Sequence, residues 1–352
     1  MDGNPPTSTP PGPPFRARTG WLALTALILI LGLALGAVYA DYRLFLDTPC
    51  GVPPEGLVLE VKPGMGVGDI ARNLQERPGV LRSAFYLESF ARLNGLASKL
   101  KAGEYAIVPS TTPRGLIEQI VAGRVIQYAL VVVEGSTFQQ LRQALAGHPK
   151  IVQTFQNASD ADIMTRLGRP GEHPEGRFFP DTYHFPAGTT DEAFLRRALV
   201  MMDRRLDEAW SRRVPDLPLS DPYQALILAS IVEKETALSA ERPAIAGVFE
   251  RRLRKGMLLQ TDPTVIYGLG AAFDGNLRRR DLITDTPYNT YLRKGLPPTP
   301  IALPGAASLA AVMNPGPGDA LYFVATGEGG HAFSATLEEH NRAVKRYQMK
   351  ER

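Results

Sequence analysis

The longest apolar stretch of the chain lies near its N-terminus. Residues 21–40 (WLALTALILILGLALGAVYA) contain no charged side chain. As a helix rising about 1.5 Å per residue, they would span roughly 30 Å, the thickness of one hydrocarbon core. Trp21 at one end and Tyr39 at the other suit the two membrane interfaces. The pattern predicts a single transmembrane anchor over residues 19–41.

The charged residues on either side of the predicted anchor weakly favour one membrane topology. Arg16 and Arg18 precede the anchor and favour an N-terminus inside, although Arg43 follows it and makes the charge asymmetry modest. A cleaved signal peptide is the alternative, but the stretch is longer than a usual signal core and lacks a clear small-residue cleavage site. Residues 1–18, with six prolines in the first 15, are predicted to be a disordered cytoplasmic tail.

Beyond the anchor, a proline-containing linker over residues 42–55 precedes a change of pattern. Residues 56–128 alternate short apolar strands with amphipathic helices, which predicts a small α+β module. Strands are predicted at 58–61, 101–107 and 129–133, and helices at 66–74, 83–93, 112–121 and 138–146.

The remaining chain, residues 129–352, reads as a larger mixed domain. About 310 residues follow the anchor, a length that usually makes two domains. Two long polar loops, 171–188 and 259–304, interrupt the pattern, and we expect them to be ordered and to line a cleft. Helices are predicted at 159–167, 191–213, 221–237, 239–255, 306–313 and 336–350. The predicted fold class is therefore α+β.

Composition and motifs exclude several kinds of function. The net charge of +3 is too close to neutral to favour nucleic-acid binding. Cys50 is the single cysteine, so no intrachain disulfide can form, and a lipid-anchor or catalytic role is disfavoured by its linker sequence. No zincin, nucleophile-elbow, phosphate-loop or CxxC motif is present, and no histidine pair has metal-ligand spacing. We expect neither a metal nor a cofactor.

The strongest candidate for chemistry is Glu235, at the end of LASIVEKET. Leu228, Ile231 and Val232 precede it at helical spacing, so its carboxyl should lie over an apolar surface. Such burial raises the pKa of a carboxyl towards the range of a general acid. Glu233 points to another face of the helix, about 200° away, and is the competing candidate. A solvated or ion-paired glutamate remains the structural alternative for either.

The long loops carry carboxylates, amides and aromatic rings together. Sugars are bound by such polar groups with an aromatic platform, so the loops suit an oligosaccharide cleft, although each could also be a well-capped turn. The candidate substrate-binding residues are Glu175, Phe179, Asp181, Gln260, Thr261, Asp262, Tyr288, Asn289, Tyr291 and His331.

Five segments in this order resemble one family, the YceG-like endolytic murein transglycosylases. They are residues 229–236 (ASIVEKET), 259–268 (LQTDPTVIYG), 288–291 (YNTY), 295–298 (GLPP) and 329–331 (GGH). Arg177 departs from the family pattern, because an aromatic residue is expected there.

The resemblance implies an inner-membrane protein with one anchor, a LysM-like module over residues 56–128 and a catalytic domain over 129–352 outside the cytoplasm. It implies cleavage of nascent peptidoglycan glycan strands between N-acetylmuramic acid and N-acetylglucosamine, leaving 1,6-anhydro ends, with Glu235 as the catalytic acid. Peptidoglycan synthases or division proteins would be possible partners. A lysozyme-like hydrolase, or a wall-binding or division-scaffold protein without activity, remains the alternative.

Overall fold

The computed structural model describes residues 16–348, which fall into two compact units, one ending at Ile126 and one beginning at Gln127. Helices and strands are mixed in both, as the α+β prediction requires. Residues 1–15 of the predicted tail lie outside the described residues. Arg16–Arg18 belong instead to the first helix.

The first unit combines one long helix with a small mixed module. Helix α1 is long and apolar enough to cross a membrane, and its most apolar part is unburied within the structure. The elements are α1 (Arg16–Asp47), β1 (Leu57–Val61), α2 (Val67–Gln75), α3 (Ala84–Leu93), β2 (Gly103–Ile107) and α4 (Pro113–Ala122).

Strands β1 and β2 pair antiparallel around the two intervening helices, with Leu59 opposite Tyr105. Both side chains are fully buried in the core of this unit. The linker predicted from residue 42 is wrong in its first part, because α1 continues to Asp47. Phe45 and Leu46 explain the extension, since their apolar side chains are buried in the same core.

The second unit is mainly helical. Its strands form three small pairs, in which β3 pairs with β5, β4 with β6, and β7 with β8. The strands are β3 (Gln127–Val131), β4 (Ile151–Val152), β5 (Thr182–Pro186), β6 (Thr189–Thr190), β7 (Tyr322–Ala325) and β8 (His331–Ser334). The helices are α5 (Phe138–Gly147), α6 (Asp160–Arg166), α7 (Asp191–Ser211), α8 (Pro222–Glu235), α9 (Arg242–Arg254), α10 (Asp262–Leu269), α11 (Arg279–Leu282), α12 (Ala306–Met313) and α13 (Leu337–Tyr347).

Helix α8 is the centre of this unit because it is apolar on all sides. Every residue from Ala225 to Val232 is buried, and α7, α9, α10 and α12 pack against the helix. Asp221 caps its start by accepting a hydrogen bond from the Gln224 N–H at 2.9 Å. A helix so enclosed can expose its polar chemistry only near its ends.

The predicted helices after residue 150 are confirmed within a few residues at each end. The predicted loop over 259–304 is wrong in part, because it contains α10 and α11. The loop over 171–188 likewise contains β5.

Candidate active site

Glu235 is the last residue of α8, and Thr236 continues in extended conformation. The Thr261 hydroxyl donates a hydrogen bond to the Glu235 carboxyl. Burial raises the pKa of Glu235 to about 7, and the charge of Asp262 acts in the same direction. The Thr261 hydrogen bond and the electrostatic interactions with His331 and Arg252 oppose this rise. The carboxyl therefore exchanges a proton near neutral pH.

The loop that presents Thr261 is fixed by buried hydroxyl groups. The Thr261 N–H donates to Thr290 Oγ1 at 3.1 Å, and Thr264 Oγ1 lies 2.8 Å from the same oxygen. Gln260, just before, is exposed and has a φ of 51°. A non-glycine residue in this left-handed region is uncommon and often marks a functional turn. The strained turn delivers the Thr261 hydroxyl to Glu235.

The segment 288–291 supports this turn from the other side. The Tyr291 hydroxyl donates to Asp262 Oδ1 at 2.6 Å, which ties this segment to the start of α10. Asn289 is fully buried and its amide donates to two backbone carbonyls, while its oxygen accepts from the Tyr291 N–H. This placement indicates that Asn289 holds the loop, whereas Tyr291 and Asp262 lie at the site.

Glu175 forms a second buried acid. Its carboxylate accepts from the Phe138 N–H at 2.9 Å and from the Tyr267 hydroxyl at 3.1 Å. Burial raises its pKa to about 7, against these two hydrogen bonds. The Tyr267 ring stands edge-on to Tyr288 at 4.9 Å, and the Tyr288 hydroxyl lies 2.8 Å from Thr299 Oγ1. Glu175 and Tyr288 thus belong to one polar network.

A cavity of about 660 Å³ opens beside this network. Its walls include Glu175 and Tyr267, together with Lys234 and Pro263, the chain neighbours of Glu235 and Asp262. Glu235 does not itself line the cavity, so the cavity lies next to the acid and not over it.

Two of the remaining candidates have other surroundings. Phe179 is buried in the core around α8, and its carbonyl accepts from the Tyr183 hydroxyl. Asp181 is exposed at the start of β5, where it accepts from the Thr182 N–H. Among the described residues, neither forms a hydrogen bond with Glu235, whose carboxyl accepts from Thr261. Arg177, which departs from the family pattern, is buried and forms ion pairs with Glu172 and Asp203.

The competing acid, Glu233, is committed to an ion pair. Its carboxylate lies 2.7 Å from Arg242 Nη2, and its second oxygen accepts from the Gly305 N–H at 2.9 Å. Its side chain is only 4% exposed. Both carboxylate oxygens are thus occupied by partners within the protein, which leaves neither free for a substrate. The arrangement favours Glu235 over Glu233.

Sequence reasoning missed Glu241, at the N-terminal end of α9. Its carboxylate accepts from the His331 N–H at 2.8 Å and lies 2.7 Å from His331 Nδ1. Burial alone would raise the pKa of Glu241, but the hydrogen bonds from His331 lower it below its ordinary value. A side chain at Gly330 would lie 2.9 Å from the same carboxylate, which explains the glycine. Because the partners are 90 residues apart, no local pattern could have indicated this pair.

The fold and site thus define a protein with one long apolar helix and an α+β unit built around a buried acid at a helix end. The YceG-like family model matches residues 59–346, and the chain belongs to this family, as the motifs suggested.

Its relatives carry a consistent name. The endolytic murein transglycosylase of Bacillus subtilis strain 168 is 31% identical over 82% of this chain and 84% of its own length. The protein of the same name from Streptococcus pneumoniae strain D39 is 26% identical over 91% of this chain and 64% of its own length. The crystal structure of a YceG-like protein from Listeria monocytogenes matches with a TM-score of 0.54 and 30% identity, over 82% of this chain and 99% of that one.

Proposed function

We propose that the protein is an endolytic lytic transglycosylase, anchored by α1 in the cytoplasmic membrane with the chain after α1 outside the cytoplasm. It would cleave the bond between N-acetylmuramic acid and N-acetylglucosamine in nascent glycan strands. The observation that carries the proposal is the Glu235 carboxyl, buried at the end of α8 with a pKa raised to about 7. Membership of the YceG-like family and the names of the relatives support the substrate.

In the first step, protonated Glu235 donates its proton to the glycosidic oxygen as the bond from that oxygen to C1 of the muramyl residue breaks. The carboxylate that remains is favoured by the Thr261 hydroxyl and by electrostatic interactions with His331 and the Arg252 guanidinium. The sugar cation is stabilised by the substrate's own N-acetyl group, so a second carboxylate is not needed.

In the second step, the Glu235 carboxylate takes the proton of the C6 hydroxyl, and the oxygen closes onto C1. This returns Glu235 to its acid form and leaves a 1,6-anhydro end. A group that gives and takes a proton in turn works best with a pKa near the working pH, which the burial of Glu235 provides. No cofactor enters these steps.

Sugar contacts are proposed for the exposed or half-buried groups around the acid. These are Gln260, Asp262, Tyr288, Tyr291 and His331, with Glu175 at the adjoining cavity.

The module β1-α2-α3-β2 is proposed to be LysM-like, because two helices enclosed between paired antiparallel strands form a compact βααβ unit suited to holding a glycan strand.

The test is product analysis with the full chain in detergent and purified glycan strands. Mass spectrometry should find new 1,6-anhydro ends for the wild type and none for Glu235→Gln. The control is Glu338→Gln, which changes an acid that is 84% exposed on α13 and should leave the products unchanged.

New reducing ends would instead make the protein a hydrolase. Absence of any new end in the wild type, or full activity of Glu235→Gln, would refute the proposed reaction.

A further inference from the structure

Two cavities meet at Lys234, the residue just before Glu235. The cavity of about 660 Å³ described above and a second of about 420 Å³ share Lys234 and Gln140 in their walls. The second is lined by the segment from Val131 to Ser136 and by α5. Together they form a trough that passes beside the end of α8. Its size suits a ligand larger than one sugar ring.

The ammonium group of Lys234 is free to bind a ligand. Its Nζ donates one hydrogen bond, to the Gly135 carbonyl at 3.1 Å, and the side chain is exposed. Within residues 16–348, no carboxylate forms an ion pair with it. An ammonium carries three donors, so two remain for a partner. The acids on either side in the sequence are committed elsewhere, Glu233 to Arg242 and Glu235 to Thr261.

The acids in the walls of the trough have partners other than Lys234. Glu134 lies 3.7 Å from Arg242, which also pairs with Glu233. Asp160 pairs with Arg142, 2.7 Å away. Burial raises the pKa of Glu175 to about 7, so much of its charge is absent at neutral pH. Among the described residues, Lys234 is the one lysine or arginine in the walls of the two cavities, and its unused N–H donors favour an anionic group.

Apolar surface lies on both sides of Lys234. Ile266 and Ile301 line the larger cavity, and Val131 and Val133, 57% and 61% exposed, border the smaller one. A glycan without its peptides presents mainly hydroxyl and N-acetyl groups, with one lactyl carboxylate on each muramyl residue and no apolar side chain. A peptide with short apolar side chains and free carboxylates matches both the walls and the charge.

We propose that this trough binds the acidic peptide stem of the muramyl residue at the cleaved bond, with Lys234 pairing with a carboxylate of the stem. The inference rests on the proposed function. The stem is attached to C3 of the same sugar ring whose C1 bond breaks, so it must leave the site within a few ångströms of the acid. Lys234 lines the trough and directly precedes Glu235 in the chain, so the trough lies where the stem would leave the site.

The test compares two substrates, peptide-bearing glycan strands and the same strands with their stem carboxylates converted to amides. Lys234→Gln should lower kcat/KM for strands with free carboxylates about fivefold, as expected for one exposed ion pair, and leave the amidated strands unaffected. Lys234→Arg should retain the preference, because it keeps the charge. Lys255→Gln, at an exposed lysine beyond α9, is the matched control and should change neither rate.

A second measurement does not depend on turnover. In a Glu235→Gln background, the affinity for a peptide-bearing strand fragment should fall about fivefold when Lys234 is also changed to Gln. Equal losses on both substrates, or no loss of affinity, would overturn the proposal. If the wild type produced no anhydro ends from either substrate, the proposed reaction would fail, while the binding measurement would still decide the role of Lys234.

Discussion

Burial of the Glu235 carboxyl should make the second unit less stable as the pH rises. Its pKa in the folded protein is about 7, against 4.5 for a free glutamate. Between these values the folded protein binds more protons than the unfolded chain, so stability falls with increasing pH. The loss of stability begins near pH 4.5 and is complete above about pH 7. At about 1.4 kcal/mol per pH unit it reaches at most about 3 kcal/mol. The figure is an upper limit because the residue as a whole is only half-buried.

Glu235→Gln removes this penalty, because glutamine has the shape of the protonated acid and its oxygen still accepts from Thr261. Thermal unfolding of the full chain in one detergent should therefore give nearly equal Tm values for both proteins at about pH 4. Above about pH 8 the Tm of Glu235→Gln should exceed that of the wild type by up to about 6 to 12 °C. Glu175 contributes a change of the same sign in both proteins, so it cancels in the difference.

Glu338→Gln serves as the control, since this exposed acid on α13 should produce no difference that depends on pH. A Tm difference between wild type and Glu235→Gln that is constant across the range would refute the reasoning. A variant that became less stable with rising pH would do so as well.

Two further predictions concern the partners of the acids on α8. Thr261→Val removes the hydroxyl that favours ionised Glu235, so the alkaline limb of the pH–rate profile should move up by about one pH unit. Thr264→Val is the control, because it removes a nearby buried hydroxyl that does not contact Glu235, and it should leave the limb in place. Arg242→Ala leaves Glu233 buried without its counter-ion and should lower the free energy of unfolding by about 3 kcal/mol in denaturant titration; a change below about 1 kcal/mol would contradict the pairing.

The sequence predicted the elements whose signals are local. Helix α8 begins at Pro222, one residue after its predicted start, and the apolar residues before Glu235 are buried as their spacing predicted. Both follow from periodicity within one segment. The same spacing predicted the burial that raises the pKa of the Glu235 carboxyl.

The sequence pattern gives a wrong prediction where a helix starts in a polar segment. Gln260, Thr261 and Asp262 predict a loop, yet α10 begins at Asp262, and Pro263 fits its first turn. Contacts between distant segments could not be read at all. The pairing of Glu241 with His331, and the loop-holding role of Asn289, depend on how separate segments meet in the folded unit.

The two acids at the end of α8 show how strictly the length of this helix is fixed. Glu233 and Glu235 are separated by one residue, but one is neutralised by a guanidinium and the other is kept able to carry a proton. Removing a single residue upstream would rotate the end of the helix by about 100° and deprive both of their partners. A substitution at Glu233 or Glu235 therefore removes one of these two arrangements, whereas an insertion or deletion within α8 would remove both at once.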